Sequence, residues 1–197
     1  MSVNEVSLPV QRLSASARAP YLAHLLALSG DDVRLRFGAP QGVSAITAYV
    51  DRIDFDADVI FAVHGDAPAL AGAAHLAFAG DLAELGVSVL PDVRRRGIGA
   101  ALVARAAEHA RNRRTQRLFM HCLAENAVMI RIAQRAGMTV VIEAGDADGH
   151  LALPPSTPMS VTSEMLADRV ALYDYALKTN VETWRRMGVA MTGPSRT

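Results

Sequence analysis

Val87-Ser88-Val89-Leu90-Pro91-Asp92-Val93-Arg94-Arg95-Arg96-Gly97-Ile98-Gly99-Ala100-Ala101-Leu102 is the stretch on which the fold turns. An alternating apolar strand runs into a proline-marked turn, then three arginines, two glycines and an alanine-rich helix. A helix that opens on such a turn leaves several backbone N–H groups without intrahelical partners, at the positive end of the macrodipole. That geometry suits a phosphate or pyrophosphate. Gly97 and Gly99 lack a Cβ, so a ligand can approach the main chain. The arginines add fork-shaped, charge-assisted donors. Plain strand–turn–helix architecture explains the same residues without a ligand, and both readings stay open here. The spacing matches neither Gly-x-Gly-x-x-Gly nor a loop closed by Gly-Lys-Ser/Thr.

Upstream, Val59–His64, Ala69–Phe78 and Ala83–Leu90 read as three antiparallel strands, with turns at Gly65-Asp66 and Ala79-Gly80-Asp81. Before them lie a short strand from Pro9 to Leu13 and a helix from Ala15 to Leu28, ended by Ser29-Gly30-Asp31-Asp32. Arg34–Gly38 alternates but also suits a loop, and a helix from Ser44 to Ile53 is capped by Ser44. Downstream, the helix from about Gly97 to Arg113 buries Leu102, Ala106, His109 and Ala110. Arg117–Leu123 is a strand, and Asn126 caps a helix that reaches Arg135 and stops at Gly137. Met138–Glu143 and His150–Leu153 form a hairpin across 145–149. Past a Pro-rich linker, Ser163–Met187 carries Leu166, Val170, Tyr173, Leu177 and Trp184 on one helical stripe. We expect that stripe to pack on its own domain; a homodimer contact is the alternative.

A chain of 197 residues with 51% apolar content fits one domain with an extra element. No apolar run reaches the ~18 residues of a membrane helix. The start, Met1-Ser2-Val3-Asn4-Glu5, lacks the pattern of a signal peptide. Cys122 is the sole cysteine, so no internal disulfide forms. A cytoplasmic protein with no membrane partner and no metal is expected. The net charge is zero, which argues against general attraction to nucleic acid. Residues 94–135 nevertheless hold ten arginines against Glu108 and Glu125, a net +8 that suits a polyanionic ligand or a solvated helix face. Phe119 is the only aromatic there, so base stacking is poorly supported.

The order of these elements, with Arg94-x-x-Gly97-x-Gly99 at a helix start, resembles the GNAT superfamily of acyl-CoA-dependent N-acyltransferases. That family's signature is Gln/Arg-x-x-Gly-x-Gly/Ala after a strand. Its second signature runs from an Asn to Gly-Phe, and Asn126 to Gly137-Met138 has that length. The resemblance covers residues 5–153. It implies an α/β (α+β type) domain over 1–155: a mixed, mostly antiparallel sheet with helices on both faces. Residues 156–197 then form a linker and C-terminal helix, packed on the domain or at a dimer contact.

The resemblance also implies acetyl-CoA as donor to a small-molecule or protein amine. Its pyrophosphate would sit on the N–H groups of residues 95–100, that is Arg95, Arg96, Gly97, Ile98, Gly99 and Ala100, with Arg94 beside them. Val87, Val89 and Leu90 would meet the pantetheine arm, in a gap where that strand splays from Arg117–Leu123, and Asn126 would lie near the arm. An N–H of Val89 or Leu90 would serve the developing oxyanion. The amine must lose a proton to attack, since an ordinary ammonium has a pKa near ~10.4. Glu84, at the start of the strand leading to the turn, is the first candidate base, and His75 on the neighbouring strand the second. A solvated strand end and a buried structural histidine are their ordinary alternatives. His121 and Cys122 must point to opposite faces. The family's usual tyrosine acid falls at Ala133, which cannot donate a proton, so a catalytically idle CoA-binding module is the second reading.

Overall fold

Alternating small and apolar residues along Val59–His64 (β2), Leu70–Ala79 (β3) and Leu82–Val89 (β4) build an antiparallel meander. In the computed structural model, which describes residues 8–65 and 69–191 and side chains as far as residue 176, this meander is the centre of a seven-stranded sheet. Gln11–Leu13 (β1) pairs outside β2. Arg117–Leu123 (β5), Thr139–Glu143 (β6) and Asp146–Ala152 (β7) complete the order β1-β2-β3-β4-β5-β7-β6. Only β4 and β5 run parallel, joined by the crossover helix Ile98–Asn112 (α4).

Pleating sends alternate residues to two separate cores. On one face Phe61, Leu76, Leu85 and Leu118 pack with Leu102, Val103 and Ala106 of α4, and with Ala133 of Ala127–Arg135 (α5). On the other, Ile60, Ala62 and Ala73 lie under Arg18–Leu26 (α1) and Val43–Asp51 (α3), which bring Tyr21, Leu25, Ile46 and Val50. Helices on both faces of a mixed, mostly antiparallel sheet are therefore what the residue order builds.

At Gly72 of β3 the side chains of α4 press directly on the sheet: a Cβ there would lie 2.6 Å from Ile98 Cγ2. Gly72→Ala should thus overpack the junction and cost about 1–3 kcal/mol, read as a lower urea midpoint at unchanged m-value. A midpoint equal to wild type would show that Ile98 simply moves aside.

Four local readings need correction. Residues 30–37 are neither a helix stop nor a loop but a helix, Gly30–Phe37 (α2); Ser29 caps it by accepting from the Asp32 N–H at 3.2 Å, and Gly38 ends it at φ 76°. Gly42, not Ser44, is the N-cap of α3. The β6–β7 turn is only Ala144-Gly145, both at positive φ (51° and 95°), so Asp146–Gly149 lie in the strand. That two-residue turn matches the twist of a hairpin, and the longer loop would not. The fourth concerns Pro158–Met191 (α6), where Leu166, Val170 and Tyr173 are exposed. The helix meets α4 instead through Ser160, Glu164 and Asp168, because α4 presents Arg105, His109 and Asn112 there. Leu177 and Trp184 of the expected stripe, and the Asp66 turn, lie outside the described residues.

Candidate active site

β4 leaves β5 almost at once. The two strands pair only at Leu82↔Arg117, Ala83↔Leu118 and Glu84↔Phe119, whereas β4 follows β3 as far as Val89↔Gly72. Leu90 N–H donates to Ala71 O at 2.9 Å, which fixes the alternation of β4 main-chain groups. Even-numbered residues bond to β3, and the N–H groups of Val87 and Val89 face the gap. Leu90 N–H is thus already committed, and of the two oxyanion donors expected from the sequence only Val89 N–H is directed there. The Val89 carbonyl accepts from Arg94 Nε at 3.2 Å.

At the open end of the gap the chain turns through Arg95 (φ 62°) and Gly97 (φ 81°) into α4. Ala101 N–H is the first to bond within the helix, to Gly97 O at 3.0 Å. Successive amides around residues 95–100 therefore form a concavity of donors at a fifteen-residue helix. Arg95, Arg96, Gly97 and Ala100 are exposed, and the nearest described side chain at Gly97 is Leu8, 3.9 Å from where a Cβ would lie. Gly99 is buried: a Cβ there would lie 3.0 Å from Ile132 Cδ1 of α5. Asn126 accepts from Met129 N–H at 3.1 Å as the cap of α5, beside the gap.

The +8 segment does not converge on this turn as a whole. Arg105 is 6% exposed and pairs with Glu164 (3.0 Å) and Asp168 (2.6 Å) of α6. Arg117 meets Asp81 at 3.2 Å, and Arg113 stacks over Phe78 at 4.2 Å. Arg94 binds Asp32 of α2 at 2.5 Å. Arg34, two residues further along α2, pairs with Glu125 beyond β5. α2 is thus tied to both sides of the gap.

The face of β4 opposite α4 carries Glu84, Gly86 and Ser88, registered with Ala77, His75 and Ala73. Here the sheet brings both expected bases together. Glu84, exposed at the point where the strands part, and His75, 9% exposed, line one cleft of about 280 Å³ with Arg36, Tyr49 and His121. His121 faces this cleft, and Cys122 is buried on the other side. Burial, with a smaller contribution from Asp148, pushes the Cys122 thiol up, away from nucleophilic character.

His75 Nε2 lies 3.2 Å from Asp58 Oδ2 and Nδ1 lies 2.6 Å from Tyr49 Oη. The carboxylate accepts from Nε2–H, so Nδ1 accepts from the Tyr49 hydroxyl. Tyr49 Oη in turn accepts from Arg36 at 3.1 Å. Burial first, then the Arg36 charge, hold His75 below the ordinary imidazole range, against the opposing pull of Asp58 and Glu84. It is neutral at neutral pH, and both its nitrogens are occupied. Next along the column, His24 donates from Nδ1 to Leu70 O (2.9 Å) and accepts at Nε2 from Ser88 Oγ (2.8 Å). Arg36, Tyr49 and Asp58 were not singled out for this site from the sequence.

The sequence model of the acetyltransferase (GNAT) family matches residues 34–138, which contain the gap, the amide turn and the cleft. No curated protein matches significantly. Among solved structures, the fold is similar to the GNAT domain of S. lividans PAT, with 21% identity over 73% of this chain and 89% of that one, TM-score 0.63. It is also similar to the ribosomal-protein-alanine N-acetyltransferase of Brucella melitensis, with 21% identity, 73% and 99% coverage and TM-score 0.57. A third is yncA of Salmonella typhimurium, solved with its cofactor acetyl-CoA, with 17% identity, 75% and 95% coverage and TM-score 0.54.

Proposed function

Because the chain belongs to the GNAT acetyltransferase family, we propose that it moves an acetyl group from acetyl-CoA to the nitrogen of an amine by direct attack. The observation that carries this reading is the parting of β4 from β5 after Glu84↔Phe119, between an amide-lined turn at one end and a carboxylate at the other. The amides of residues 95–100 and the exposed Arg95 and Arg96 suit a diphosphate. The main chain of Val87 and Val89 suits the amides of a pantetheine arm, and Asn126 lies beside it. Bound there, acetyl-CoA supplies an activated thioester carbonyl.

The amine nitrogen bonds to that carbonyl carbon, the C–S bond breaks, and CoA thiolate leaves. Glu84 takes the proton that the nitrogen sheds, directly or through one water. His75 holds Tyr49 in place beside it. Val89 N–H is placed for the developing oxyanion. Ala133 of α5 is fully buried in the core, so the leaving sulfur finds no acid there. This observation favours one second reading, a CoA-binding module without turnover.

Acetyl-CoA at about 100 times its Kd should stabilise the protein by ~2.7 kcal/mol. For a chain of this size that raises Tm by roughly 5–10 °C. Release of free CoA across an amine panel then separates the two readings. Stabilisation without thiol release favours the module, and calorimetry showing no CoA binding removes both.

A further inference from the structure

Arg36 is the one arginine of the cleft, and it stands apart from the other ion-pairing arginines around it. Arg34, Arg94 and Arg105 each reach a carboxylate. Among the described residues no carboxylate lies within ion-pair distance of Arg36. Its guanidinium lies against Gly86, where any Cβ would overlap it, and between the rings of Phe37 (4.9 Å) and Tyr49 (5.9 Å). It donates to the Tyr49 phenol, and its Nε is buried without a partner. Tyr21, wholly buried on α1, also faces it, and burial pushes that phenol further up, so it stays protonated. His75 and His24 are held neutral, and the Asp58 charge is spent on His75. A largely desolvated cation without a counter-charge is costly. The cleft therefore presents Arg36 to an anion, while Glu84 supplies a negative charge on another wall of the same 280 Å³ space.

We propose that the acceptor is a small amino acid, whose carboxylate is held by Arg36 while its amine faces Glu84. This rests on the acetyltransferase reading and names its substrate class. A planar guanidinium receives a carboxylate through two parallel bonds, a fit that a carboxamide cannot reproduce. A cleft of about 280 Å³ admits a free amino acid, whereas a protein could insert only a chain end or a lysine side chain.

The test is calorimetric titration of the CoA-loaded protein with the twenty standard amino acids and their primary amides. At least one acid should bind, with its amide roughly tenfold to a hundredfold weaker, as expected for loss of hydrogen bonds to a charged group. In Arg36→Met that ratio should fall to near one, and in Arg36→Lys it should be partly kept. Gly86→Ala, which evicts the guanidinium without removing it, should behave like Arg36→Met. If Arg36→Met does not fold, the wild-type acid-to-amide ratio decides alone. Absence of binding by every acid, or equal binding of acid and amide, overturns the proposal, as does preference for a peptide N-terminus. Binding of an acid without CoA release would leave this inference standing and defeat the proposed catalysis. Rapid acetylation of amines that lack a carboxylate would do the reverse.

Discussion

Glu84→Gln is expected to lower kcat/KM for acetyl transfer by about 10²–10⁴-fold, the usual weight of a positioned general base. Glu84 is exposed where β4 and β5 part, so the isosteric amide should leave Tm nearly unchanged. Binding of acetyl-CoA should also be unaffected, because the amide-lined turn lies at the other end of β4. His75→Asn provides the contrast. The imidazole is occupied at both nitrogens by Tyr49 and Asp58, so its loss should act through the position of Tyr49 and cost less, on the order of tenfold. Steady-state kinetics on both variants with one acceptor decides the matter. A larger loss in His75→Asn than in Glu84→Gln would exchange their roles.

Glu164→Ala should destabilise the protein by about 3 kcal/mol, a drop of roughly 6–12 °C in Tm. Glu164 is the acid that α4 needs: Arg105 at 3.0 Å, His109 Nδ1 at 2.5 Å and Asn112 at 2.6 Å all converge on it. Its side chain is 12% exposed, and its removal leaves Arg105 with Asp168 and the more distant Glu108, and His109 with no hydrogen-bond partner. Burial by itself would raise its pKa. The hydrogen bonds from His109 and Asn112, with the charges of His109 and Arg105, outweigh that and bring it to about 2. A carboxyl lowered on folding gives stability that is complete above its ordinary value of 4.5 and fades as the pH falls toward 2. Wild type should therefore lose stability across that window, and Glu164→Ala should be flatter. Parallel curves for the two proteins would show that the junction contributes little.

β2 and β5 were legible because each is a short, largely apolar run that begins and ends where the pattern does, β2 between Asp58 and Gly65. The amide turn was legible for a different reason, since a glycine directly before an apolar helical pattern marks a position that can take positive φ, as Gly97 does at 81°. α2 was misread because Arg34-Leu35-Arg36-Phe37 alternates like a strand edge, while the helical signal sits upstream in the Ser29 cap and its bonds to Asp32. That misreading hid Arg36. Glu84 and His75 could be picked out as residue types near the turn. Their meeting in one cleft with Arg36 and Tyr49 depends on β3–β4 register and on two helices distant in sequence. The α6 stripe failed because apolar periodicity says which side of a helix could be buried, not which side its neighbour asks for. Here the neighbour asked for acids.

The short seam between β4 and β5 has one further effect. From Glu84, where the strands part, to Val89 is five residues, roughly 17 Å at strand spacing. In the proposed reading this stretch of strand separates the diphosphate anchor from the reaction centre, so a donor would be measured as well as recognised. Thioesters on short thiols could enter but would reach the carboxylate with no hold on the turn, and bulkier acyl groups would push against the joined strands. Discrimination among donors would then come from length, with no dedicated pocket for it.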